Sequence, residues 1–143
     1  MKKAEKLHEL MKLIIPLSQK LHENMAQELE GTGLSVLKRA ILEIISDQGQ
    51  QTVPNIARSL EYERQHIQAQ VNDMYDSGIL DRLENAAHKK SMLLQLTSDG
   101  EKLIKKIRSK ERRTIKKIAN ALPANKIQTS IETVSYLISG LDK

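Results

Sequence analysis

Apolar residues recur at helical spacing from the start of the chain. Leu7, Met11, Ile14, Leu21 and Met25, with Leu10 and Leu17 alongside, predict a helix over 4–30. Pro16 falls inside this run and should kink or break it locally. Gly31-Thr32-Gly33 ends it. Leu34, Leu37, Ile41, Ile44 and Ile45 share one side of a second helix, 34–47, closed by "DQGQQ". Thr52 is an N-cap residue and Pro54 suits a first turn, so 53–60 reads as a helix of about two turns. Glu61-Tyr62-Glu63 is a tight connection to a further helix, 64–77, which Gly78 terminates as a C′ residue.

After Gly78 the period changes. Ile79, Leu80 and Leu83, then Met92, Leu93, Leu94 and Leu96, predict two short strands, and the loop "ENAAHKKS" joins them into a hairpin over 79–96. Thr97 caps a long helix with Leu103, Ile104, Ile107, Ile115 and Ile118 on its apolar side, and Pro123 breaks it. The last helix, 124–140, carries Ile127, Ile131, Val134, Ile138 and Leu141. Their 4-3-4-3 spacing is that of a helix–helix seam.

Helix, short helix, tight turn, helix and hairpin is the order of a winged helix-turn-helix. The second helix of the pair enters the major groove while the first crosses the backbone. The fold class expected is therefore mainly α with a small β-hairpin wing. Residues 34–100 form the winged helix-turn-helix DNA-binding domain, and 1–33 with 101–143 form a helical dimerisation region. On the helix 64–77, Ile67, Val71 and Met74 should face inward. Gln65, Gln68, Ala69 and Asn72 then face outward. Amide side chains pair with adenine edges and an alanine methyl meets thymine, whereas a merely solvated face more usually carries Lys and Glu pairs.

Charge sharpens this picture. Net charge is +5, and the segment 101–117 alone holds nine basic and two acidic residues. A basic balance raises the expectation of a nucleic-acid partner. The basic helix could flank DNA phosphates or simply be solvated. Hydrophobic content of 39% with 29% charged residues is that of a folded globular chain. With three Tyr and neither Phe nor Trp, the core must be aliphatic. The absence of cysteine excludes thiol redox chemistry, disulfides and Cys zinc sites. No apolar run is long enough for a membrane span or a signal peptide, so a cytoplasmic location without membrane contact is expected.

The block "TVPNIARSLEYERQHIQAQVNDMYDSGILDRLENAAHKKSMLLQLTSDGEKL" resembles the MarR family of transcription regulators. The matching positions are Leu60, Arg64-Gln65-His66, Gly78-Ile79-Leu80-Asp81-Arg82 and Leu96-Thr97-Ser98-Asp99-Gly100. The resemblance covers about 50 residues by motif and the whole chain by helix position. It implies an obligate homodimer, held by intertwined terminal helices, that reads a pseudo-palindrome on double-stranded DNA. The DNA-binding residues it points to are Arg64, Gln65, His66, Gln68, Ala69, Asn72, Arg82, Lys89 and Lys90. The chain departs from the family at its wing motif, Asp-x-Arg-[Ala/Ser]. His88, Lys89, Lys90 and Ser91 stand there, so the Asp is a His and the minor-groove Arg is Lys90. Lys is more strongly hydrated than Arg, which favours phosphate contact over shape reading. Loss of the Asp suggests a mobile wing. Glu61 and Glu63, at the mouth of the reading helix, oppose phosphate.

The resemblance also implies a small-molecule effector between the dimer helices and the winged domain. The candidates are Met11, Ile14, Ile15, Leu37, Arg39 and Tyr62. No cofactor is expected. His8 and His22 are too far apart on one helix to share a metal, so none is expected there. The chain lacks a Gly-rich phosphate loop, HExxH and G-x-S-x-G, and its paired carboxylates (Asp73/Asp76 and Glu61/Glu63) lie on a solvated helix and turn, which argues against an enzyme. The competing reading is a winged-helix protein-interaction module without sequence-specific DNA binding.

Overall fold

The computed structural model describes residues 2–142. In chain order it holds α1 (Lys2–Glu28), α2 (Val36–Gln48), α3 (Val53–Leu60), α4 (Arg64–Asp76), β1 (Leu80–Leu83), β2 (Leu93–Leu96), α5 (Ser98–Ala119) and α6 (Ala124–Leu141). The chain divides into two compact units, residues 1–108 and 109–143.

In the first unit, each element starts where local chemistry requires. Ser35 Oγ accepts the Lys38 amide and opens α2, and Thr52 Oγ1 accepts the Asn55 amide and opens α3. The α3–α4 turn passes through Glu61, whose left-handed backbone (φ 59°) is reached without a glycine. At the other end of α4, the Gly78 amide bonds to the Tyr75 carbonyl and the Ile79 amide to the Met74 carbonyl. This is a Schellman closure, and the φ of +82° at Gly78 is what it needs.

α1 differs from expectation at one point: it runs unbroken through Pro16. A helical proline removes one amide donor and leaves the Lys12 carbonyl without its usual partner. Residues 11–20 are all exposed, so water can take that carbonyl, and the flanking Leu, Lys and Met residues favour the helix.

The core is aliphatic. Ile41, Leu42 and Ile45 of α2, Ile56 and Ala57 of α3, and Ile67, Val71 and Met74 of α4 pack with Ile79, Leu80, Leu94 and Ile104. β1 and β2 pair antiparallel, Leu80 opposite Leu96 and Leu83 opposite Leu93. A bridge extends the hairpin: the Gln51 amide donates to the Leu94 carbonyl at 3.1 Å and the Leu94 amide to the Gln51 carbonyl at 2.7 Å.

Thr97 ties the hairpin to α5. Its hydroxyl donates to the Gly78 carbonyl at 2.7 Å and accepts the Gly100 amide at 3.1 Å. Its own amide donates to the Ile79 carbonyl. Gly100 is buried against that same carbonyl, and a Cβ there would collide with the Ile79 oxygen. The Leu-Thr-x-x-Gly pattern of the sequence is therefore a packing device between β1 and α5. Arg108 fastens the end of this unit to α2, donating to Asp47 at 2.7 Å with Glu43 at 3.6 Å.

In the second unit, Pro123 is the N-cap of α6, whose residues Ile131, Ile138 and Leu141 are 53%, 67% and 66% exposed.

Candidate nucleic-acid interface

A groove of about 520 Å³ lies between α4 and the wing. Arg64, Gln65 and Gln68 form one wall, and Arg82, His88, Lys90, Ser91 and Met92 form the other, with Val53, Pro54 and Leu94 beneath. Three cationic side chains and two amides thus converge on one concave surface. Burial of Ile67, Val71 and Met74 is what aims this wall outward, since Gln65, Gln68, Ala69 and Asn72 lie on the opposite side of the helix and none of them is buried.

The structure sorts the nine DNA-binding candidates. Arg64, Gln65, Gln68, Arg82 and Lys90 line the groove together. Asn72 is joined to them by hydrogen bonds: Gln68 Nε2 and Arg82 Nη2 each donate to Asn72 Oδ1 at 2.9 Å. Arg82 also lies over the Tyr75 ring, 4.0 Å from its centroid. His66 is exposed but stacks on Tyr62, with ring centroids 5.3 Å apart, so the ring is held at the α3–α4 turn. Ala69 is exposed on α4, and Lys89 is exposed at the wing tip.

The wing tip is locally organised. Asn85 Oδ1 accepts the Ala87 amide, the Asn85 carbonyl accepts the His88 amide, and the His88 carbonyl accepts the Ser91 amide. Glu63 is the N-cap of α4, but its carboxylate makes no capping bond, and Glu61 beside it is exposed.

The effector candidates fall in separate settings. Met11, Ile14 and Ile15 are exposed on α1, whereas Leu37 is half-buried against the core. Arg39 is buried, and its guanidinium donates to Glu43 at 2.8 Å. Tyr62 faces His66. His88, which the sequence places at the wing motif, joins Lys90 on the wing wall of the groove. Tyr75, outside the groove lining, carries Arg82 and is not evident as a site residue from sequence. Among the described residues there is no group of three acidic or histidine side chains able to hold a metal. No described helix is long and apolar enough to cross a membrane.

Solved structures share this architecture. A MarR family transcription regulator, SP03579, superposes with a TM-score of 0.86 over 96% of this chain and 90% of its own, at 23% identity. The chain has the fold of the MarR family transcription regulators. FabT of Streptococcus pneumoniae, solved in complex with DNA, matches with a TM-score of 0.82 at 13% identity, covering 95% of this chain and 97% of FabT. A mutant MarR from E. coli, complexed with operator DNA, gives 0.77 at 17% identity over 96% of each chain. The likeness to the MarR fold thus spans the winged domain and the terminal helices alike. By sequence, the uncharacterized protein Rv2011c of Mycobacterium tuberculosis is 29% identical over 101 residues, 71% of this chain and 70% of that protein. No family model matches the chain.

Proposed function

We propose that this protein is a MarR-family transcription regulator: a homodimer that binds a pseudo-palindromic DNA site and represses by occupying a promoter, with no catalytic step. α4 enters the major groove, and the wing tip, 85–91, lies at the adjacent minor groove. The observation that carries this reading is the convergence of Arg64, Gln65, Gln68, Arg82 and Lys90 on one groove. Cations supply the phosphate attraction that dominates affinity, and amides supply base-edge reading. FabT and the MarR mutant, both solved with DNA bound, support the same partner here. A second copy of the chain is the natural cover for the apolar residues of α1 and α6, where Leu13, Ile15, Leu21, Ile131 and Ile138 are all more than half exposed.

Selection of bound sites from random duplexes tests partner, palindromy and half-site spacing together. Replacement of Gln65 or Gln68 by Ala should relax preference by about 1–3 kcal/mol at particular bases while leaving others untouched. Replacement of Lys89 and Lys90 by Ala should weaken all sequences alike and lower the salt slope by about one for each lysine that meets a phosphate. If neither pair altered binding to any duplex, the reading would be wrong. The exposed Glu61 and Glu63 favour the alternative, a protein-interaction module. That module would shift no duplex at low salt.

A further inference from the structure

Asn72 lies within a chain of hydrogen bonds whose direction is fixed by chemistry. Arg82 can only donate, because a guanidinium has no acceptor. The atom that Asn72 turns toward Arg82 Nη2, 2.9 Å away, is therefore its oxygen. Gln68 approaches the same oxygen at 2.9 Å and must offer its Nε2 there. An amide oxygen has two lone pairs, and both are now in use. What Asn72 still presents is its Nδ2, a group with two hydrogens and no capacity to accept. The Gln68 amide is oriented in turn. Its Nε2 lies toward the C-terminal end of α4, where Asn72 is, and its Oε1 lies away from it.

An unconstrained asparagine on a reading helix pairs with adenine through one donor and one acceptor, matching N7 and the N6 amine. Asn72 cannot do so while its oxygen is occupied. A donor-only group suits an edge made of acceptors. In the major groove that is guanine, with N7 and O6, whereas adenine offers N7 beside an amine that would point at the Asn72 amide hydrogens. We propose that Arg82, acting through the Asn72 oxygen, is a specificity-determining residue that turns Asn72 into a donor-only reader of guanine. Tyr75 contributes by holding the guanidinium against α4. The inference rests on the DNA-binding reading above and deepens it.

The test is site selection with the full-length protein and two variants, Arg82→Leu and Asn72→Asp, each checked for an unchanged melting transition. Both positions are exposed, so neither change empties the core. The wild type is expected to enrich guanine at one position per half-site. In Arg82→Leu one lone pair of the Asn72 oxygen is freed to accept, while the Gln68 bond remains. The guanine-to-adenine ratio there should fall by about tenfold, the weight of one good base contact. In Asn72→Asp the donor is gone and guanine preference should vanish at that position alone. Adenine at that position for the wild type would overturn the proposal, as would a ratio unmoved by Arg82→Leu. Either result leaves the DNA-binding reading of the protein standing. Failure of all three proteins to enrich any sequence would overturn the DNA-binding reading, and this inference with it.

Discussion

Gly100→Ala is expected to destabilise the winged domain by about 3 kcal/mol, the upper part of the usual overpacking range. The added methyl group would meet the Ile79 carbonyl oxygen, which is main chain and cannot rotate aside as a side chain would. Nor can that carbonyl shift freely. It accepts the Thr97 amide, and the neighbouring Gly78 carbonyl accepts the Thr97 hydroxyl. Relief requires β1 and the first turn of α5 to separate, and that exposes Leu80 and Ile104, both buried. Urea denaturation should show a lowered midpoint with an unchanged slope. A loss below about 1 kcal/mol would mean that the two elements slide apart at little cost, and the packing account of the Leu-Thr-x-x-Gly pattern would fail.

Ile67→Ala is expected to cost about 4 kcal/mol, within the range for truncating a fully buried aliphatic side chain. Ile67 has no exposed surface and is the first of the three residues, with Val71 and Met74, that fasten α4 to the core. A cavity there loosens the helix from behind, so DNA binding should fall along with the melting temperature. The adjacent Gln68→Ala is exposed and should change stability by less than about 0.5 kcal/mol. Thermal unfolding of the two variants side by side measures this contrast. Equal losses would show that Gln68, like Ile67, helps to hold α4 against the core.

Much of the winged domain is legible in the sequence because its signals are local. The bounds of α3 follow from Thr52, Pro54 and the Glu61-Tyr62-Glu63 turn, and they match the structure residue for residue. Gly78 marks the end of α4, and the short apolar runs on either side of the wing loop mark the hairpin. Pro16 does not break α1, because exposure lets water reach the freed Lys12 carbonyl and lessens the cost of the missing hydrogen bond. The groove is legible in part. Helical periodicity places Gln65 and Gln68 on one face, and the wing loop points to Lys90. The contacts of Arg82 are not visible in the sequence. They depend on β1 returning alongside α4, which brings Arg82 to Tyr75, seven positions earlier, and to Asn72. The pairings of His66 with Tyr62 and of Arg39 with Glu43 are hidden for a different reason. Each partner lies four residues away and looks from sequence like an ordinary surface neighbour.

The two backbone bonds between Gln51 and Leu94 have a mechanical meaning. Gln51 immediately precedes Thr52, the cap that opens α3, and Leu94 lies in the strand returning from the wing. The bridge therefore joins the base of the hairpin directly to the root of the helix-turn-helix, without going around the intervening chain. Under the proposed DNA-binding reading, the separation between α4 and the hairpin base is held by backbone bonds as well as by the shared core, so a duplex must fit that separation or be bent to meet it.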